Sequence, residues 1–174
     1  MRLSFLILLF LSVSFFSCDN KFQPPATGVK SDNIPDQESW KAVVTFSDSG
    51  KVRAVLNAGH IQMFNFKKIT LIDSGAVVDF YRDGEVVSTL SGMRGKIHDE
   101  SKDIEIFDSV KVVNKEGSIL KTSKLYWTNK TQRVSSDAFV KIVTPKEEIE
   151  GIGFESDQNL KNYNIYKVTG IFSK

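Results

Sequence analysis

The stretch Leu120–Val143, LKTSKLYWTNKTQRVSSDAFVKIV, has the pattern of three short β-strands separated by turns. Apolar residues stand at every second position in Ala138, Val140 and Ile142, which places one face of the strand against a core. The same pattern lies 30 residues earlier, in Leu90–Val113. The turns of the two copies are predicted at Asp99–Lys102 and Asn129–Gln132. Repetition at this period predicts stacked units that share one continuous interior.

Strands and turns also account for the sequence on either side of this pair. Thirteen short strands are predicted between Ala42 and Phe154, separated by turn sequences such as Asp73-Ser74-Gly75 and Arg82-Asp83-Gly84. Helical periodicity is hard to find, and only Asp157–Asn162 could form a brief turn of helix. Short strands at regular spacing, joined by hairpin turns, predict an all-β sandwich, barrel or roll.

Apolar residues at every second position predict which side chains point inward. The predicted inward set is Val52, Ala54, Leu56, Val78, Phe80, Val110, Val112, Leu125, Trp127, Val140 and Ile142. One interpretation is a dry, packed core. The other is an open roll whose inner face holds an acyl-chain ligand. The pattern does not separate the two, because both need the same alternation.

The N-terminal residues predict export. Residues 1–17 combine a basic start, an apolar run of about 14 residues and a small residue, which is typical of a signal peptide. Cys18 follows directly and predicts a lipoprotein signal, with Cys18 acylated. The alternatives are an uncleaved anchor, although the run is shorter than the roughly 20 residues of a spanning helix, or a plain signal peptide. Residues 18–37, rich in proline and polar residues, predict a tether before a domain at 38–174.

Charge and motif content exclude several classes of function. The net charge is +2, and Lys and Arg alternate with Asp and Glu, so no basic tract predicts nucleic-acid binding. His60 and His98 lack neighbours at metal-ligand spacing, so we expect no metal and no cofactor. The acidic residues Glu147, Glu148 and Glu150 predict a solvated turn. We find no motif of a catalytic site and expect no enzyme, although paired carboxylates across a cleft would not show as a motif.

Four segments are distinctive in their sequence: Ala58-Gly59-His60-Ile61, Leu125-Tyr126-Trp127, Ser136–Val140 and, most specifically, Ile149–Asp157. Through these segments the region from Val52 to Ile171 resembles the LptC family and the repeat of OstA-like bridge proteins. It implies an open β-jelly-roll, built from units of about 30 residues, whose apolar interior receives the acyl chains of lipopolysaccharide. It also implies anchoring at the periplasmic face of the inner membrane.

The resemblance to the LptC family implies that this protein has two protein partners. It would take lipopolysaccharide from an inner-membrane ABC exporter complex and pass it to a periplasmic bridge protein of the same jelly-roll type. Better-known enterobacterial members have a single N-terminal transmembrane helix, whereas Cys18 predicts a lipid anchor here. The alternative function is that of a lipid-anchored structural or adhesive β-sandwich with a closed core and no ligand.

Overall fold

The computed structural model describes residues 33–173, which form ten β-strands and no helix. The strands are β1 Gln37–Asp48, β2 Lys51–Phe64, β3 Ile69–Arg82, β4 Glu85–Gly92, β5 Arg94–His98, β6 Ile104–Asn114, β7 Ile119–Thr128, β8 Arg133–Val143, β9 Glu147–Asp157 and β10 Tyr163–Ser173. The signal at 1–17, Cys18 and most of the tether lie outside the described residues. Gln37, the last residue of the predicted tether, is the first residue of β1.

All ten strands belong to one antiparallel sheet, so the predicted all-β class is confirmed. Their order is β1-β2-β3-β4-β6-β7-β8-β9-β10. Strand β5 continues β4 and pairs with the same two neighbours, β3 and β6. Each hairpin therefore joins adjacent strands, and within the described residues the sheet ends at two edges, β1 and β10. This arrangement is that of a jelly-roll whose first and last strands do not pair with each other.

The thirteen predicted strands differ from the ten observed ones because several predicted breaks are bulges inside continuous strands. Strand β3 runs through Asp73-Ser74-Gly75, where a turn was predicted, and Ser74 and Gly75 have φ values of 60° and 96°. The prediction of a brief turn of helix at Asp157–Asn162 is wrong. The chain makes a hydrogen-bonded turn there, in which the Leu160 amide donates to the Asp157 carbonyl at 3.1 Å. Strand β10 was missed, since most of its side chains are exposed and its pattern is weak.

Interruptions of the strand pairing lie side by side across the sheet and form what we call the fold line. At most of them, one strand has an additional residue relative to its partner, which bends the strand. Positive φ angles recur along the same line, as at Lys41, Asp108 and Gly153. The fold line is defined by Lys41, Gly59, Ser74, Gly75, Met93, Asp108, Ser109, Lys124, Asp137 and Gly153.

The fold line divides the sheet into two half-sheets that pack face to face. The first half-sheet ends at the β1–β2, β3–β4, β6–β7 and β8–β9 turns, and the second ends at the β2–β3, β5–β6, β7–β8 and β9–β10 turns. The ring centroids of Phe80 in β3 and Trp127 in β7 are only 5.2 Å apart. In a flat sheet these strands would be about 14 Å apart, since neighbouring strands are about 4.8 Å apart. The core therefore lies between the half-sheets.

The 30-residue repeat is present in the structure. The predicted turns end at Lys102 and Gln132, which have φ values of 63° and 52°. Their amides donate to the carbonyls of His98 and Thr128 at 2.7 and 2.8 Å. The turns thus share position, backbone conformation and hydrogen bonding. In the first copy β4 and β5 together take the place that β7 takes in the second.

Gly59→Ala should destabilise the protein, because the bend brings backbone against backbone. A Cβ at position 59 would lie 2.2 Å from the carbonyl oxygen of Ser74. We expect a loss of about 1–3 kcal/mol in the free energy of unfolding, measured by urea denaturation. The matched control is Gly170→Ala, where a Cβ would meet only the half-exposed ring of Phe172. The control should stay within about 0.5 kcal/mol of the parent, and equal effects would contradict this account.

Candidate functional site

The interior between the half-sheets contains ten of the eleven residues predicted to point inward. Their side chains are at most 2% exposed, and they come from β2, β3, β6, β7 and β8. They are Ala54, Leu56, Val78, Phe80, Val110, Val112, Leu125, Trp127, Val140 and Ile142. The structure thus brings residues from distant parts of the sequence into one apolar space.

Val52 is the exception, and the prediction that its side chain points inward was wrong. Its side chain is 40% exposed, and it lines an open surface depression beside Tyr81 and Gly84. The reason is a bulge, because Phe46 pairs with Ala54 but Ser47 pairs with Val52, which leaves Arg53 as an additional residue. Alternation does not continue across a bulge, so Val52 does not share the face of Ala54.

Several buried residues were missing from the predicted inward set. Leu90, Leu120 and Ile106 are fully buried, and so is Phe154. The 30-residue offset already aligned Leu90 with Leu120, so the repeat could have identified these two. Phe154 was harder to assign, since Ile152 two residues earlier is 45% exposed. Gly153 between them lies on the fold line, with a φ of 79°, and the alternation changes face there.

Trp127 is the largest side chain in the interior and contacts both neighbouring aromatic rings. Its centroid is 5.2 Å from that of Phe80 and 6.2 Å from that of Phe46, the latter in an edge-to-face arrangement. Its indole Nε1 is buried and has no hydrogen-bond partner among the described residues. The centre of the interior is therefore held by apolar and aromatic contact, with no polar network to fix it in one arrangement.

The interior opens to the surface beside the β1 edge. A cavity of about 280 Å³ lies between the half-sheets there, and we call it the mouth. Val44 and Phe46 line it from the first half-sheet, and Ile61 and Ile97 line it from the second. Its rim is polar and includes Gln37, Ser39, Thr70, Asp99 and Lys102. An apolar throat with a polar rim suits an amphipathic ligand.

The histidines and the acidic cluster have structural partners. His60 Nδ1 lies 3.1 Å from the Asp73 carboxylate, and His98 Nε2 lies 2.5 Å from Glu105 Oε1. Within residues 33–173 we find no group of three or more His, Cys, Asp or Glu side chains that could hold a metal ion.

The acidic residues Glu147, Glu148 and Glu150 lie in strand β9 and not in the predicted solvated turn, and Lys141 neutralises part of their charge. Its Nζ lies 2.5 Å from Glu148 and 3.2 Å from Glu150. Hydrogen bonds to Glu148 and then Glu150 raise the pKa of Lys141. This pairing accounts for two of the three clustered glutamates as part of a local ion-pair network.

Both edges of the sheet expose large apolar side chains. On β10 and its neighbours these include Phe139, Ile152, Val168, Ile171 and Phe172, each 45–63% exposed. On β1, Trp40 and Val43 are 66% and 64% exposed. An edge strand with exposed apolar side chains is a ready template for pairing with another chain.

A family model described as "Lipopolysaccharide-assembly, LptC-related" matches this chain over residues 5–172. The chain belongs to the LptC family. The resemblance noted from the sequence is thereby confirmed, and the match extends over nearly all of its 174 residues. A search of the curated proteins finds no match.

LptC membership implies a part in lipopolysaccharide transport. The family acts as a transport bridge, is periplasmic and is associated with the inner membrane. Within the described part of this LptC-family chain, no helix has the length and apolar character needed to cross a membrane.

Trp127→Ala should test how far the interior depends on one side chain. Removing a fully buried tryptophan leaves a cavity, so we expect a loss of about 3–5 kcal/mol in the free energy of unfolding. The matched control is Trp40→Ala, the same substitution at an exposed side chain that stacks on His60 with centroids 4.9 Å apart. The control should cost about 1 kcal/mol. Urea denaturation measures both, and similar losses would contradict the central placement of Trp127.

Proposed function

We propose that this protein receives lipopolysaccharide from the inner-membrane ABC exporter complex and passes it along its apolar interior to the next bridge protein. The observation that carries the proposal is the interior itself, which joins ten predicted apolar residues between two half-sheets and has a mouth beside β1. Membership of the LptC family supports lipopolysaccharide as the ligand. The ten residues, without Val52, are the proposed contacts of the acyl chains.

The way the interior is held together suits entry of acyl chains. The backbone hydrogen bonds run between neighbouring strands within the sheet, whereas the half-sheets meet mainly through side chains such as Phe80 and Trp127. Separating the half-sheets therefore exposes apolar surface but leaves the strand pairing intact. Acyl chains would cover that surface again, at about 0.8 kcal/mol for each CH₂ group buried.

Attachment to the membrane is proposed through Cys18. A lipoprotein signal at residues 1–17 and a tether at 18–37 would hold the roll on the periplasmic side of the inner membrane. Fully extended, the tether could reach about 60 Å at roughly 3.3 Å per residue. Such an anchor would keep the mouth within reach of the exporter. The alternative is an N-terminal transmembrane helix at the same place in the chain.

Contact with neighbouring rolls is proposed through the two sheet edges. Strand addition at an edge uses main-chain hydrogen bonds for affinity and side chains for specificity. The exposed apolar residues of β10, including Ile171 and Phe172, would contact the bridge protein that accepts the lipid. Strand β1 lies beside the mouth and would face the donor. Lipopolysaccharide would then move through the interior from the β1 edge towards the β10 edge.

A second candidate function follows from how tightly the interior is packed. Ten of the proposed lining residues are almost inaccessible to solvent, as in a closed core. A lipid-anchored structural or adhesive β-sandwich without a ligand would have this property. The transport function predicts that interior side chains contact lipopolysaccharide in the cell, whereas the closed sandwich predicts that they do not.

Photo-crosslinking amino acids at Val140 and Val112 should capture lipopolysaccharide in cells. Both side chains point into the interior and are at most 1% exposed, so capture requires the ligand to be inside. The matched controls are Lys141 and Lys111, which are the neighbouring residues on the opposite face of β8 and β6. Lipopolysaccharide on immunoblots of the interior variants alone is the expected result. Capture from the lysine positions alone would overturn the proposal in favour of a closed sandwich.

Mass spectrometry of the mature N-terminus should find an acylated Cys18 in protein purified from membranes. Replacing Cys18 with Ala removes the only sulfur that can be acylated, so the variant should not be processed as a lipoprotein. Ser17→Ala keeps a small residue before the cysteine and should be processed normally. An intact N-terminus beginning at Met1 would instead support the transmembrane helix and leave the transport proposal standing.

A crosslinker at Ile171 should capture a periplasmic protein of the same jelly-roll type. Ile171 is 63% exposed and lies in the edge strand β10. The control position is Val77 on the outer face of β3, which is 39% exposed but lies in the middle of the sheet. Mass spectrometry of the adduct identifies the captured protein. Equal capture from Val77 would contradict docking through the β10 edge.

A further inference from the structure

The β9–β10 turn reaches across the interior to the opposite half-sheet. This turn, residues 158–162, belongs to the second half-sheet, where it hydrogen-bonds to Ser156 and Asp157, but it also contacts the first half-sheet. The Ser88 hydroxyl donates to the carbonyl of Gln158 at 2.5 Å, and the Asn114 side-chain amide donates to the carbonyl of Asn159 at 2.8 Å. The turn therefore joins the free ends of the two half-sheets on the side opposite the fold line.

Residues 158–160 of the turn are buried, and two of their side-chain oxygens are unpaired although Asp157 accepts from the amides of residues 159–161. Gln158, Asn159 and Leu160 are 1%, 6% and 3% exposed. The side-chain oxygens of Gln158 and Asn159 have no hydrogen-bond partner among the described residues. A buried polar atom without a partner costs at least as much as an ordinary neutral hydrogen bond contributes. The two unpaired oxygens thus offset much of what the two hydrogen bonds from Ser88 and Asn114 contribute.

The remaining contacts that hold the turn to the first half-sheet are a hydrogen bond of 3.4 Å from Gln158 Nε2 to the Tyr81 carbonyl, one ion pair and one apolar side chain. The Nζ of Lys161 lies 2.7 Å from Glu116 Oε1, but both side chains are about half exposed and such pairs stabilise little. Leu160 is the one apolar side chain that the turn buries. Strand β10 follows directly, and apart from Tyr163 and Ile165, which pack against the core, most of its side chains are exposed.

We propose that the β9–β10 turn is a latch that opens while the rest of the sheet stays folded, and that an acyl-chain ligand leaves the interior through the open latch rather than back through the mouth. The mouth beside β1 is open in the structure, whereas the latch closes the far side of the interior. Ligand that enters at the mouth therefore passes out on the far side only after the latch releases. The part of the proposal that concerns the ligand rests on the proposed function, whereas the opening itself does not.

The first test measures opening without any ligand. Full-length protein with Cys18→Ser has no thiol of its own, so Leu160→Cys introduces a single one, at the buried position of the latch itself. A maleimide should label it at least about 100-fold faster than it labels Leu120→Cys, the matched change at a leucine that is 0% exposed under the sheet. Labelling no faster than at Leu120→Cys would mean that the turn opens only by global unfolding, and would overturn the latch.

A second variant separates opening of the latch from global unfolding. Ile72→Val removes one buried methylene group from β3, away from the turn, and should lower the free energy of unfolding by about 0.5–1.5 kcal/mol. Labelling of Leu120→Cys should then become faster in proportion to the lost stability, which urea denaturation measures. Labelling of Leu160→Cys should be unchanged, because opening of the latch leaves the sheet folded. Equal acceleration at both positions would also overturn the latch.

The ligand-dependent test closes the latch covalently. Glu116→Cys with Lys161→Cys, in the Cys18→Ser background, replaces the ion pair across the latch, and a short bifunctional maleimide joins the two thiols. The matched control is Glu85→Cys with Lys115→Cys, because that ion pair of 2.5 Å joins two turns of the same half-sheet. The probe is radiolabelled lipopolysaccharide, loaded before cross-linking, and its release is followed after dilution into unlabelled lipopolysaccharide.

We expect cross-linking across the latch to slow release at least tenfold, and the control cross-link to change release less than twofold. Equal release from both would overturn the exit role of the latch. If the protein without a cross-link binds no lipopolysaccharide, the proposed transport function fails. The labelling comparison at positions 160 and 120 still decides whether the latch opens.

Discussion

The rest of the structure depends on the bend that each strand makes at the fold line. At Gly59 the backbone comes so close to the carbonyl of Ser74 that a side chain has no room. Positive φ angles at Ser74, Asp108 and Ser109, although costly for residues other than glycine, extend the bend across neighbouring strands. Because bulges increase bending and twist, their alignment folds a single sheet onto itself. Without that alignment the apolar faces would stay on one open surface.

The folded sheet separates two kinds of interaction that most β-sandwiches also keep apart. Hydrogen bonds run along the sheet, and apolar contacts such as that of Phe80 with Trp127 run across the interior. One continuous ladder therefore preserves the fold whether the half-sheets are close together or slightly apart. Under the proposed transport role, acyl chains would replace contacts between interior side chains while the strand pairing stays intact. The β9–β10 turn is the place where hydrogen bonds do cross between the half-sheets.

Sequence patterns predicted the interior where alternation is unbroken and failed where it is interrupted. Val110, Val112, Val140 and Ile142 were placed correctly, because β6 and β8 alternate regularly beyond their bulges. Val52 was misplaced by the bulge at Arg53. Turn-like residues such as Asp73-Ser74-Gly75 form turns and bulges alike, so the predicted strand count was too high. Strand β10 has exposed apolar residues because it forms the edge of the sheet, which one strand's own pattern does not reveal.

The sequence by itself determined the all-β class, the 30-residue repeat, most of the inward faces and membership of the LptC family. These depend on residue type and spacing, which are local properties of the chain. Only the tertiary structure decided that the bulges align, that the mouth lies beside β1 and that the turn after β9 spans the interior. Those features join residues such as Asn114 and Asn159, which the sequence pattern does not link. These two residues are in contact only because the sheet folds back and brings the free ends of its two half-sheets together.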